Sequence, residues 1–255
     1  MALNIGILQF DIIWENKDAN KKKIKEYLDA ALTNSDKKID WLILPEYSLT
    51  GFSFDKNKTE LTQSDYDFFA ELAQKYSVYI SYSGIINNAN NLITINANGN
   101  VISNYSKIHL FSYAGEDKIY NAGAQPEIFE IENFKILPAI CYDLRFSYLF
   151  WDNAENTDII LIAANWPDIR SHHWKILAQS RAIENQCFVC AVNRIGADPK
   201  NKYCGDSMII APNGDIILNS ENADGLFTAT INKNDIIFTR EKFPVLKDRK
   251  KIKYK

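Results

Sequence analysis

The stretch DIILIAANWPDIRSHHWKILAQSRAIENQCFVCAVN at 158–193 decides the fold class. It opens on six consecutive apolar residues, Ile159 to Ala164, too short for a helix and bounded by polar positions, as a buried strand requires. A mixed polar and apolar segment of helical length runs from Ser171 to about Gln186, and a second apolar run, FVCAVN at 188–193, closes the unit. Strand, helix and strand in such short order make this an α/β chain.

The same alternation appears at the N-terminus. LNIGILQ at 3–9 reads as a buried strand, and Ile24, Tyr27, Leu28, Ala31 and Leu32 follow at helical spacing, with Lys21 to Lys23 on the solvated side. DWLILP at 40–45 is the next strand. Thr62, with Asp65 three residues on, caps a helix carrying Tyr66, Phe69, Leu72 and Tyr76. Strand candidates then crowd together from 78, 92, 101, 127 and 134, two of them joined by the Asn98-Gly99 turn, and a second Asn-Gly hairpin falls at 211–216 before a strand near 226–231. A helix is expected near 145–154. Helices alternate with strands in both halves while hairpins extend the sheets, which predicts two mixed β-sheets packed together with helices outside. No linker-like break interrupts the chain, so a single domain over 1–255 is expected, ending in a solvated basic tail at about 247–255.

Composition narrows the function. Of 255 residues, 46% are hydrophobic and 24% charged, with only ten glycines and seven prolines, the balance of an ordinary globular protein. Six apolar residues are far short of the roughly 18 that cross a bilayer. The first residues, MALNIGILQFD, lack a cationic leader and read as a strand, so a cytoplasmic protein is expected. The net charge is −3 although 247–255 carries six Lys/Arg against one Asp, and so acidic a body argues against nucleic acid as a partner. Four irregularly spaced cysteines make no disulfide framework.

Three polar residues sit at the ends of apolar strands: Glu46 after WLILP, Lys107 after VISNYS and Cys141 after FKILPAI. Taken singly they read as a cap, a solvated strand end and a small buried hydrophobe. Together they are a nucleophile, a base and a cation that can hold an oxyanion, the set that hydrolyses an amide. ICYDLRF turns sharply out of a strand, which predicts a thiol raised into a pocket near backbone N–H groups, with its pKa lowered.

LPEYSLTGF at 44–52, YSKIHLF at 105–111 and AICYDLRF at 139–146 resemble, in order, the three catalytic motifs of the nitrilase superfamily of carbon–nitrogen hydrolases. ANWPDIRSHHW at 164–174, RAIENQCFVCAVNRIG at 181–196, Gly205-Asp206-Ser207, PNGDII at 212–217 and REKFPVLKDR at 240–249 resemble its omega-amidase branch. The resemblance implies an αββα sandwich, a homodimer, no metal or organic cofactor, and hydrolysis of the omega-amide of small 2-oxo dicarboxylic acids such as 2-oxoglutaramate and 2-oxosuccinamate. It assigns Glu46 as general base, Lys107 as oxyanion-stabilising lysine, Cys141 as nucleophile, and Glu116, within GEDKIYNAG, as a second glutamate that fixes the lysine. A small-molecule amide that keeps one carboxylate needs a cation, and Arg145 would present one from a helix on the face of Cys141. Its structural alternative is a salt bridge to Asp143 or Glu184. Arg170 is a further candidate for the carboxylate, Tyr142 offers a backbone N–H to the oxyanion, and Trp166 completes the expected substrate-binding set. The same Glu, Lys and Cys could serve a nitrile, a ureido acid or deaminated glutathione, and a non-catalytic binding protein is the alternative of another class.

Other signals carry less. Cys187 and Cys190 form a C-x-x-C, but on a strand residues three apart face opposite sides and cannot share a metal. His109, His172 and His173 are the only imidazoles for a papain-like pair, and structural hydrogen bonds or the pocket mouth suit them better.

Overall fold

The computed structural model describes residues 2–33 and 38–250. Residues 251–255, most of the basic tail, lie outside them. Six strands form one sheet: β1 (Ala2–Gln9), β2 (Trp41–Ile43), β3 (Tyr79–Ile86), β4 (Ala89–Ile95), β5 (Val101–Ser106) and, at its far edge beside β1, the last strand of the chain. Six others form the second: β6 (Phe129–Ile131), β7 (Phe134–Ile140), β8 (Ile159–Ala163), β9 (Phe188–Val192), then, past the small hairpin β10 (Ile195–Ala197) and β11 (Lys202–Cys204), β12 (Met208–Ile210) and β13 (Ile216–Asn219). The strand beside β1 is β14 (Gly225–Asn232). Each sheet has a parallel centre, β1-β2-β3 in one and β7-β8-β9 in the other, extended on both sides by antiparallel neighbours. Both are mixed, as expected.

Side-chain alternation explains the stacking. Leu3, Ile5, Ile7, Trp41 and Ile43 from one sheet meet Ile136, Ile140, Ile159, Leu161, Phe188 and Val192 from the other in a shared core. The opposite faces bury Leu42 and Leu44 against Ile24 and Leu28 of α1 (Lys17–Leu32), after which come the short α2 (Lys56–Thr59) and α3 (Gln63–Tyr76), which adds Phe69 and Leu72. On the second sheet Ile160, Ile162 and Val189 pack on Phe150 of α4 (Ser147–Trp151) and on Trp174 and Ala178 of α5 (Ser171–Asn185). The result is an αββα sandwich. Cys187 and Cys190 enter different cores, on opposite faces of the second sheet, so the C-x-x-C binds nothing jointly.

Several local expectations change. The helix expected over 145–154 breaks into a 3-10 segment (Cys141–Arg145), α4 and a second 3-10 turn (Ala154–Asn156), because the chain must first turn away from β7. Lys21 and Lys23 are not freely solvated: Lys21 pairs with Asp65 at 2.7 Å and Lys23 donates to the Asp11 carbonyl. Asp65 also receives Lys17 and the Thr62 backbone N–H, so the capping residue ties α1 to α3. Arg249, within the basic tail, lies over the Trp151 ring and pairs with Glu155. α6 (Lys233–Lys242) was not foreseen. Its start is capped by the Asn232 side chain, and Ile236 is the one residue it buries. Among the described residues no helix is long and apolar enough to cross a membrane.

Candidate active site

The strand ends carry the site. β2 delivers the chain through Leu44 and Pro45 to Glu46, and β5 ends one residue before Lys107, whose backbone N–H donates to the Asn90 carbonyl at 2.8 Å. Both side chains are fully buried. Lys107 Nζ lies 3.0 Å from Glu46 Oε1 and 2.9 Å from Glu116 Oε2. Glu116, at the start of a 3-10 turn, also accepts the Phe111 N–H at 2.6 Å. Burial alone pulls the lysine pKa down, but the Glu116 and Glu46 carboxylates outweigh it and hold the ammonium above its ordinary value.

Cys141 follows β7 directly and has φ 45, a left-handed conformation that side chains other than glycine rarely adopt. The fully buried Asp143 braces that turn. It accepts from the Ile140 N–H at 3.0 Å, the Tyr105 hydroxyl at 2.8 Å and the His109 N–H at 2.8 Å, which fastens the end of β7 to the segment carrying Lys107. The expected fall in the Cys141 pKa is not found. Burial pushes the thiol well above its ordinary value, the Glu46 carboxylate adds to this, and Lys107 opposes it. The sulfur is therefore a thiol that needs a base beside it.

Glu46, Lys107, Cys141, Tyr142, Arg145, Trp166 and Arg170 line one cavity of about 480 Å³. Of the eight residues expected to carry catalysis or bind substrate, Glu116 alone stays out of that lining, on the far side of its bond to Lys107; His109, His172 and His173 are not in the lining either. Arg145 does not stand on a helix; it ends the 3-10 segment, its guanidinium 4.7 Å from the Trp166 ring centre and Nη2 3.3 Å from His173 Nδ1. Neither acid proposed to hold it does so: Asp143 is engaged as above, and Glu184 pairs with Arg181 at 2.7 Å. Burial and the charge of Arg170 both pull the Arg145 pKa down, so two guanidiniums share one pocket. That arrangement favours an anion. His109 turns Nδ1 to Asp143 at 2.7 Å and Nε2 to Tyr148, which leaves it no part in a Cys/His pair. Among the described residues no group of three or more His, Cys, Asp and Glu is placed to hold a metal ion.

The sequence reading missed Asn90, Asn165 and Asp143. Asn165 donates its backbone N–H to Glu46 Oε2 at 2.9 Å and its side-chain amide to the Glu46 carbonyl. Each is a polar residue buried within or just after an apolar strand, the same signal that singled out Glu46 and Lys107.

The chain belongs to the carbon–nitrogen hydrolase family, whose model matches residues 4–241. It is 32% identical over 264 residues to the 2-oxoglutaramate amidase of Bacillus subtilis (strain 168), with 100% of each chain covered. Against omega-amidase YafV of Escherichia coli (strain K12) it is 33% identical over 254 residues, covering 97% of this chain and 96% of the relative. Among solved structures, that of XC1258 from Xanthomonas campestris, a CN-hydrolase superfamily protein with an arsenic adduct in its active site, superposes with a TM-score of 0.91 at 29% identity over 100% of both chains.

The cysteines offer a direct check. Burial pushes Cys187 up to about 12 and Cys190 up as well, and Cys204 is half-buried with its sulfur 3.2 Å from Asp206. Brief iodoacetamide treatment at neutral pH is expected to label Cys141 first, with Glu46 accepting the thiol proton, and Glu46→Gln should slow that labelling about 100-fold or more. Peptide mass spectrometry against time reads both. Labelling of Cys204 ahead of Cys141, or an unchanged rate in Glu46→Gln, would remove Glu46 as the base.

Proposed function

We propose that the protein hydrolyses the omega-amide of small 2-oxo dicarboxylic acids, 2-oxoglutaramate and 2-oxosuccinamate, to the 2-oxo acid and ammonia. The observation that carries this is the cavity in which Glu46, Lys107 and Cys141 stand beside two guanidiniums, neither of which pairs with an acid among the described residues. The names of the full-length relatives support the same substrate class.

The chemistry follows from the atoms. Cys141 sulfur bonds to the amide carbon as its proton passes to Glu46, and the oxyanion that forms is held by the Lys107 ammonium and the Tyr142 backbone N–H. The C–N bond then breaks, Glu46 returns the proton to nitrogen, and ammonia leaves a thioester. Water adds to the thioester carbon while Glu46 takes its proton; the C–S bond breaks, the sulfur regains that proton, and the acid departs. Glu116 never moves a proton. It accepts from Lys107 and from Phe111 and keeps the ammonium in place. Arg145 and Arg170 hold the free carboxylate, with Trp166 stacked under Arg145. We further propose one hydrolase domain over 1–255, working in the cytoplasm as a homodimer without a metal or organic cofactor.

Ammonia release across a panel tests the reading: 2-oxoglutaramate and 2-oxosuccinamate are expected to be turned over far faster than a nitrile, a ureido acid or deaminated glutathione. Preference for one of those three would move the assignment within the family, and no turnover with intact fold would favour a binding protein. Arg145→Ala should lower kcat/KM for 2-oxoglutaramate by about 30- to 1,000-fold, or roughly 2 to 4 kcal/mol, the cost of leaving a buried carboxylate unpaired. Arg145→Lys should recover part of this, since a point charge cannot supply two parallel donors. Neutral amides of similar size should lose little. Equal losses on charged and neutral amides would transfer the carboxylate role to Arg170.

A further inference from the structure

The two site carboxylates share a neutral donor as well as the lysine. Asn90, second residue of β4 and fully buried, donates from Nδ2 to Glu46 Oε1 at 2.8 Å and to Glu116 Oε1 at 3.0 Å. Its orientation is fixed, because Ser83 donates to its Oδ1 and only an NH2 group can face two carboxylates. Its backbone carbonyl receives the Lys107 N–H, so the same residue registers the lysine's strand end. Asn90 is not part of the cavity lining.

Counting donors separates the two oxygens of Glu46. Oε1 is occupied by Lys107 Nζ and Asn90 Nδ2, whereas Oε2 holds a single donor, the Asn165 backbone N–H. Oε2 is left with the lone pair that can take a proton. We propose that Asn90 is a positioning residue for the reaction, one that loads Glu46 Oε1, stabilises the ionised carboxylate and so sets the pH at which Glu46 works as the base. The inference rests on the reading of Glu46 as general base. The charged and titratable groups around this pair are Lys107, Cys141 and the two carboxylates themselves, with the Tyr47 and Tyr120 hydroxyls on the Glu116 side.

Removing a donor from a carboxylate disfavours its charged form. In Asn90→Ala the acid limb of kcat against pH is therefore expected to move up by about one pH unit, so that kcat on the limb falls by up to about 10-fold while the plateau above it and KM change little. Asn90→Asp keeps the shape but gathers three carboxylates around one ammonium, and its limb should move further. Asn90→Ser retains one donor and should fall between wild type and Asn90→Ala. The rate of iodoacetamide labelling of Cys141 against pH gives the same limb with no substrate present. A shift there in a protein that releases no ammonia from 2-oxoglutaramate supports Asn90 and refutes the substrate assignment instead. An unmoved limb in both readouts, with only less folded protein recovered, overturns the proposal, as does a rise in KM at constant kcat. Should Asn90→Ala fail to fold, an unmoved limb in Asn90→Ser overturns it equally.

Discussion

Cys141→Ala, Glu46→Gln and the double variant are expected to fall to one common floor, about 10⁴- to 10⁶-fold below wild type in kcat, with the fold intact. On the proposed mechanism the two groups act as a unit. The thiol of Cys141 is pushed up by burial and by the Glu46 carboxylate, so the proposed attack requires its proton to leave as the bond forms. Without the carboxylate there is nowhere for it to go, and without the sulfur the carboxylate has nothing to activate in the first step. Losses from such a pair do not add. Cys141→Ser should share the floor, since an alcohol holds its proton more tightly still and a carboxylate is too weak to take it. Thermal unfolding should hardly change for Cys141→Ala, while Glu46→Gln replaces a charge that Lys107 faces at 3.0 Å and should cost some stability. Steady-state ammonia release on the four proteins decides the point. A double variant slower than either single by the product of their effects would mean that Glu46 and Cys141 act in separate steps.

How much of this could be read in advance depended on how local each cause was. The sandwich was legible because both buried centres write themselves as short apolar runs, WLILP and DIILIAAN, and both Asn-Gly turns fall where hairpins join β4 to β5 and β12 to β13. Taken singly, Glu46, Lys107 and Cys141 have ordinary structural readings; that they would share one cavity was legible only from the three together, each closing an apolar run. The direction of the Cys141 shift was not, since it follows first from burial between two packed sheets, to which a carboxylate 95 positions away in sequence then adds. The sequence expectation counted the N–H groups of the turn and left out burial. Arg145 was misplaced for a related reason: four residues after Cys141 suggest one helical turn, yet the strained residue at Cys141 opens a 3-10 segment and starts α4 later. Asn90 falls two residues before the strand expected from 92, and Asn165 just after the run that ends at Ala164, and nothing nearby says which carboxylate each will meet.

Lys107→Met is expected to destabilise the protein more than any other single change at the site, by about 3 to 5 kcal/mol at neutral pH, and to lower kcat by a further 100- to 1,000-fold in whatever remains folded. The ammonium is fully buried between two fully buried carboxylates, and its removal leaves Glu46 and Glu116 facing each other with Asn90 as their shared donor. For a chain of 255 residues this corresponds to roughly 10 °C in Tm. The pH dependence has a definite sign. In wild type the Lys107 pKa is raised, so its contribution is complete below the unfolded value and is lost only at strongly alkaline pH, leaving it constant from pH 5 to 9. In the variant two buried carboxylates face each other without a counter-charge, a penalty that taking up a proton relieves, so the gap to wild type should narrow as pH falls from 8 toward 5. Adding Glu116→Gln to Lys107→Met removes one of the two unbalanced charges and should restore a large part of the stability, but no activity, because the oxyanion still lacks its cation. Denaturant melts at three pH values with parallel ammonia assays read both halves. Activity returning along with stability in the double variant would show that Lys107 merely neutralises its neighbours, and the oxyanion would then rest on backbone N–H groups alone.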